Sequence, residues 1–251
     1  MKTPSKQSSR RHRRTPPEVQ VGSATPERIA RLRRLLLGWG QANRRDFYWR
    51  EPGVTPFGIL VTEVLVARTR AESVDPVVRR LMQRFPSPAR LAAARHTVIA
   101  RILRPLGLHR TRARLLVRCA KMILSEHSGI VPSSVDHLIT LPYVGRYAAN
   151  AVASVAFEQR RAVLDANVAR IYRRVFSIPV TGERLTVAEG LWEFADRALS
   201  KSRPRDFNWA ILDLGGMVCT PRSPACAGCP LAVICDAKRG LASAASSLAA
   251  G

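Results

Sequence analysis

Apolar residues recur along most of this chain at helical spacing, and the architecture they predict is all-α. A first helix is expected from Thr25, a capping residue, with Pro26 suited to its first turn and Ile29, Leu32 and Leu36 on one face before Gly38 and Gly40. Ser87-Pro88 opens another, Gly107 separates two more, and the segment from Thr111 to Glu126 repeats Leu115, Cys119, Met122 and Ile123 before stopping at Gly129. No set of short alternating strands recurs at hairpin spacing, and no glycine-rich loop follows a strand, so nothing points to a dinucleotide-binding fold. One segment is ambiguous. Ile59-Leu60-Val61-Thr62-Glu63-Val64-Leu65-Val66 is β-branched and nearly continuous, which fits a buried strand as well as a buried helix; a buried helix is expected.

Three places on this helical pattern carry candidate chemistry. From Ser133 a short helix through Leu138 leads into Leu141-Pro142-Tyr143-Val144-Gly145, and Ala148, Ala151, Val152, Val155 and Ala156 mark the buried stripe of a second helix. A helix, tight turn and helix gather uncapped N–H donors at a positive helix end, which suits a DNA phosphate and grips a backbone without reading sequence. An ordinary helix connection has the same local pattern. In Val163-Leu164-Asp165-Ala166-Asn167-Val168-Ala169-Arg170, Asp165 stands where the next helix begins, a routine place for a capping carboxylate. Glu63 is a lone carboxylate in an apolar segment, costly to bury unless it has a purpose.

Charge narrows the class of partner. The 251 residues hold 41 Lys+Arg against 18 Asp+Glu, a net charge of +23, which favours a polyanion and makes nucleic acid the leading candidate. No run approaches the roughly 18 uninterrupted apolar residues of a membrane helix. The first residues have no apolar stretch behind their charge, so an intracellular, nucleoid-associated protein is expected. Residues 1–24, with Arg10, Arg11, Arg13 and Arg14 around His12, read as a disordered basic tail able to lie on phosphates.

Cys219, Cys226, Cys229 and Cys235 follow a C-x6-C-x2-C-x5-C spacing, while Cys119 falls on a helix face as a buried thiol. Four clustered thiolates in a long, unsignalled chain read as a metal site rather than a disulfide framework. They can hold a zinc ion or a [4Fe–4S] cluster, and spacing alone does not choose.

With these segments in hand the chain resembles the helix-hairpin-helix DNA glycosylases of the endonuclease III and MutY superfamily, from about residue 29 to residue 235. The resemblance rests on LPYVGRYAANAVASVAF, VLDANVARIYRR, WAILDLGGMVC and the cysteine spacing. It implies a two-part all-α fold: a six-helix barrel over 47–158, and a cluster domain made from 25–46 and 159–235, with 236–251 as a flexible tail. It also implies a [4Fe–4S] cluster on Cys219, Cys226, Cys229 and Cys235. The partner would be double-stranded DNA carrying a mismatched or damaged base, bound by a monomer.

The same resemblance assigns roles. Asp165 matches the aspartate that stabilises an oxocarbenium-like sugar or orients the attacking water. Glu63 matches the pocket glutamate, and Tyr147 is expected on the extruded base or its sugar. Tyr143, Val144, Gly145 and Arg146 form the DNA-gripping turn. Arg68 is the candidate for the side chain that fills the gap left by the flipped nucleotide. Endonuclease III types have a lysine where this chain has Tyr147, so a monofunctional enzyme without strand cleavage is expected. RRDFYWREPGVTPFGILVTEVLVARTRA and GLHRTRA look like the archaeal Mig-type thymine/uracil mismatch enzymes; a MutY-like adenine glycosylase is the second reading. That second reading fits less well because the chain ends sixteen residues after its last cysteine, where MutY proteins continue into a further domain. Outside enzymes stand a silent DNA-binding module and a zinc-bearing nucleic-acid binder. Tyr143 replaces the glycine usual in the turn, so either the turn is rebuilt or a tyrosine carries a strained backbone there.

Overall fold

The computed structural model describes residues 22–179 and 188–240, and among these residues every regular element is helical. The helices are α1 (Pro26–Ala42), α2 (Pro56–Val66), α3 (Ala71–Arg84), α4 (Pro88–Ala92), α5 (His96–Leu103) and α6 (His109–Glu126), then α7 (Val135–Leu138), α8 (Arg146–Ala156), α9 (Ala166–Phe176), α10 (Glu189–Ala198) and α11 (Pro204–Met217).

The ambiguous β-branched segment is helix α2. Thr55 accepts a hydrogen bond from the Gly58 N–H, and Pro56 holds the first position, so the chain enters already set for a helix. Burial of almost every α2 side chain outweighs the modest helix propensity of its valines and isoleucine. Helix α1 also starts as expected, capped by Thr25, but it runs through both glycines to Ala42. Gly40 serves packing instead of termination: a Cβ there would stand 2.6 Å from the Ala210 Cβ on α11. Helix α6 ends as the sequence implies, with Gly129 at φ 79° and its N–H donating to the Ile123 carbonyl.

Two buried apolar clusters divide the chain. One is built from α2 to α8 between Phe47 and Ala153; the other joins Ile29, Leu32 and Leu36 of α1 to α9, α10, α11, Leu231 and Ile234. The two chain ends therefore build one core together. Arg28 fastens them: it donates to the carbonyls of Ser23, Val175 and Ile234 and pairs with Asp236 at 2.7 Å. Ser23 hydrogen-bonds Asp236 and the Phe176 carbonyl, and a helical stretch begins at Asp236; the rest of both expected tails lies outside the described residues.

A buried ion pair crosses between the clusters. Arg50, 7% exposed, donates from both terminal nitrogens to Asp213, 1% exposed, at 2.6 and 2.9 Å, and Arg45 Nε adds a third bond at 2.6 Å. The Arg50 guanidinium also lies 5.5 Å from the Phe47 ring and 5.3 Å from the Trp209 ring. Removing one partner strands the other charge, so Asp213→Ala is expected to cost about 3–5 kcal/mol in a denaturant titration. A loss within the error of a surface substitution would show that the arginines relax to solvent.

Candidate active site and iron–sulfur site

Asp165 follows a segment without regular secondary structure, 161–164, that two asparagine side chains hold in place. Asn150 Nδ2 donates to the Ala162 carbonyl at 2.9 Å, and Asn208 Nδ2 donates to the Arg161 carbonyl at 2.9 Å while its Oδ1 accepts from the Val163 N–H. The aspartate then caps α9: Oδ1 accepts from the Val168 N–H at 2.8 Å and Oδ2 from Asn167 Nδ2 at 2.9 Å. The capping and chemical readings of Asp165 are thus compatible, because capping fixes the carboxylate without burying it.

Glu63 projects from α2 towards Asp165. Its Oε2 is shut off from solvent without a hydrogen-bond partner, although the residue as a whole keeps some exposure. Burial pushes the Glu63 carboxyl up to about 8, the charge of Asp165 pushes the same way, and Arg50 opposes both. At neutral pH Glu63 is therefore mostly a neutral acid and a hydrogen-bond donor. Tyr147, from the first turn of α8, packs against both apolar clusters, and its hydroxyl is raised well above the ordinary phenol range by burial and by Glu63 and Asp165. The structure brings Glu63, Asp165 and Tyr147 into one electrostatic neighbourhood, and Arg50 completes it.

The hairpin turn keeps its left-handed residue. Tyr143 has φ 67° and is 64% exposed, so the tyrosine carries the strain of about 1 kcal/mol or more expected for a non-glycine there. Val144 N–H donates to the Leu141 carbonyl at 3.1 Å, and Gly145, which begins α8, supplies no side-chain cap to that helix's free N–H groups. Arg146 is already engaged: it pairs bidentately with Glu189 at 2.5 and 3.0 Å and lies 4.3 Å over the Trp192 ring. Arg68 stands exposed on the α2–α3 loop at φ 60°. Sequence reasoning missed Leu108, just before α6, which is 75% exposed at φ 47°. Arg112 ties the two places together by donating to the carbonyls of Leu65 and Ala67 and to Thr69 Oγ1.

Cys219, Cys226, Cys229 and Cys235 line a single cavity of about 270 Å³ whose remaining walls are largely apolar, including Ile171, Val175 and Leu214. The cysteines act on one another's charge. Yet among the described residues no three or more His, Cys, Asp or Glu side chains stand close enough to hold a single ion. Thiols around one roomy cavity, too far apart for a mononuclear tetrahedron, fit a polynuclear cluster better than zinc. Arg174 braces this site, donating to Cys219 Sγ at 3.5 Å and to the carbonyls of Thr220 and Pro221 at 2.7 Å each. A hydrogen-bonded path also joins it to Asp165: Asn167 Oδ1 accepts from Arg170 Nη2 at 2.9 Å, and Arg170 Nε donates to the Cys219 carbonyl at 2.8 Å. Gly215 makes room for Asn167, since a Cβ at 215 would stand 2.7 Å from the Asn167 Cβ.

Comparison with known proteins places this arrangement. Residues 61–196 match the family profile described as HhH-GPD superfamily base excision DNA repair protein. The chain belongs to that superfamily. Residues 219–235 match the iron-sulfur binding domain of endonuclease III, so this HhH-GPD protein carries a [4Fe–4S] cluster domain. A thymine-DNA glycosylase of Aeropyrum pernix is 36% identical over 211 residues, 83% of this chain and 94% of that protein. An adenine DNA glycosylase of Mycobacterium tuberculosis is 37% identical over 196 residues, 78% of this chain and 64% of that protein. Among solved structures, a thermostable thymine-DNA glycosylase superposes with a TM-score of 0.78 at 27% identity, covering 85% of this chain and 98% of the other. Endonuclease III trapped covalently on DNA, at 24% identity and a TM-score of 0.74, shares the fold.

Arg50 and Asp213 escaped the sequence reading. The signal for Asp213 was present, because a single carboxylate in WAILDLGG is the same anomaly that exposed Glu63.

Proposed function

We propose that this HhH-GPD protein is a monofunctional DNA glycosylase that hydrolyses the N-glycosidic bond of an extruded thymine or uracil opposite guanine. The observation that carries the reading is the Glu63 carboxyl, whose Oε2 is shut off from solvent without a partner and whose pKa burial pushes up, set in one electrostatic neighbourhood with Asp165 and Tyr147. A departing pyrimidine anion needs a hydrogen-bond donor at the base, which the protonated Glu63 supplies, and a negative charge near the sugar as C1′ becomes cationic, which Asp165 supplies. Asp165 also accepts a proton from the water that attacks C1′. Tyr147 walls the pocket and excludes water.

The hairpin N–H groups hold a phosphate, with exposed Tyr143 free to reach the backbone, while Arg68 and Leu108 occupy the stack behind the extruded nucleotide. Cys219, Cys226, Cys229 and Cys235 would hold the cluster, which would cross-link the C-terminal loop. Adenine remains the second reading, favoured by the Mycobacterium tuberculosis relative and by an acid able to protonate a ring nitrogen.

Base release from duplexes containing G·T, G·U, A·8-oxoguanine and A·G pairs, with alkali added to reveal abasic sites, tests the reading. Release from G·T or G·U, with strand breaks only after alkali, is the expected result; release only of adenine, or breaks without alkali, overturns it. Tyr147→Lys should convert the enzyme to one trapped on DNA by borohydride, since the new amine would sit beside two carboxylates at the sugar. Absence of a trapped species would place residue 147 out of reach of C1′.

A further inference from the structure

Helix α6 carries a row of cations that the proposed site does not use. Arg110, Arg114, Arg118 and Lys121 are all exposed, and none of their side chains has a partner among the described residues. At 100° per residue they fall within one narrow stripe, and the row runs for about 16 Å at about 1.5 Å per residue. Arg101 and Arg104, at the end of α5 and just after it, are likewise exposed and unpaired, and α5 packs directly on α6.

Along α6 the one acid is the exposed Glu126 at its far end. From position 76 to position 125 the chain has no aspartate or glutamate at all. An arginine-rich composition inflates the cations of such a stretch but does not remove its acids. The arginines that do pair with acids, Arg79 with Glu51 and Asp75, Arg146 with Glu189, and Arg205 with Glu158, are half-buried, unlike the members of the row. Keeping so many like charges unpaired on one face costs self-repulsion that a bound polyanion relieves.

The position of the row selects the partner. Its first member lies two residues beyond the exposed Leu108, so the row starts at the end of α6 that carries that loop, while Arg112, about 200° round the helix from Arg110, fastens the other face of α6 to the Arg68 loop. Each four-residue step along α6 rises about 6 Å, against about 3.4 Å of axial rise per phosphate along one strand. Arg110, Arg114 and Arg118 are thus about 6 Å apart and Lys121 about 4.5 Å further on, spacings of the same order as those between charges on a nucleic-acid backbone.

We propose that the α6 row binds the phosphate backbone of the duplex flanking the lesion, extending the DNA footprint away from the candidate active site. The contact is non-specific in sequence, since point charges on phosphates carry no base information. It would raise affinity for long DNA and lengthen each encounter during the search for a mispair.

This inference rests on the glycosylase reading, and its test separates the two. Arg110, Arg114, Arg118 and Lys121 are changed together to glutamine in the cluster-loaded full chain. Affinity is then measured by fluorescence anisotropy over a range of salt, on G·T duplexes of about one helical turn and about three turns, one turn being about 34 Å. The expected result is a loss of about tenfold or more on the long duplex only, with the salt slope reduced by about 0.9 for each phosphate contact removed. A second variant, Arg110→Lys with Arg114→Lys and Arg118→Lys, should keep wild-type affinity, because the charge is retained. Equal affinity of the glutamine variant and the wild type for the long duplex overturns the proposal, as does an equal loss on both lengths or a loss in the lysine variant. Base release on the short duplex is read separately, and its absence in the wild type would fail the glycosylase reading while leaving the binding comparison decisive.

Discussion

Replacing Asp165 by asparagine is expected to give a protein that folds, keeps its cluster and binds a mismatched duplex, yet releases base about 10²–10³-fold more slowly. The separation is possible because asparagine caps a helix as well as aspartate does, so the bond from the Val168 N–H survives the change. What disappears is the charge that the proposed mechanism sets against C1′. The same substitution has a second consequence at Glu63, whose carboxyl the Asp165 charge helps to hold near 8. Without that charge the protonated form of Glu63 is less favoured, and the alkaline fall in the residual rate should move to lower pH. Unchanged turnover would remove Asp165 from the reaction, and an alkaline limb that stays in place would uncouple it from Glu63.

Glu63 itself offers the second large effect and a way to tell the two base classes apart. Glu63→Ala removes the donor entirely and is expected to slow base release by about 10²–10³-fold. Glu63→Gln keeps an N–H donor but has no proton to give. For thymine or uracil leaving as an anion, the glutamine variant should retain most of its rate and lose the alkaline limb near pH 8. For adenine, which needs protonation, glutamine should be as poor as alanine, about 10²–10⁴-fold down. Stability follows the same group. Its folded pKa lies above its ordinary value of 4.5, so its contribution is complete below the carboxyl range and is lost as pH rises through about 8. Glu63→Gln should flatten that decline, which amounts to at most about 1.4 kcal/mol per pH unit. A stability curve of unchanged slope would mean that Glu63 titrates like a surface acid.

Local grammar gave the helices and a good part of the candidate site. Thr25, Thr55 and Ser87 cap where capping residues precede a proline, and Asp165 caps α9 for the same backbone reason. Lone carboxylates in apolar runs are visible in one dimension because burial makes them anomalous. What stayed hidden depends on partners far away in sequence. Arg50 meets Asp213 across 163 positions, and neither residue's neighbours announce the other. Gly40 read as a stop because its real role, contact with Ala210 on α11, involves a helix that no local window contains. Leu108 was invisible for a different reason: an exposed leucine in a left-handed conformation follows from the turn after Gly107, whereas a periodic pattern counts leucine as core.

The union of both chain ends in one core has a consequence for synthesis. Residues 47–153 close their own cluster from a continuous stretch and can condense while the ribosome is still elongating. Helix α1, made first, must wait with Ile29, Leu32 and Leu36 uncovered until α11 and the cysteine loop emerge. The full cysteine set exists only once Cys235 has been made, and a nascent chain halted before α11 would leave the apolar face of α1 open to chaperones or proteases.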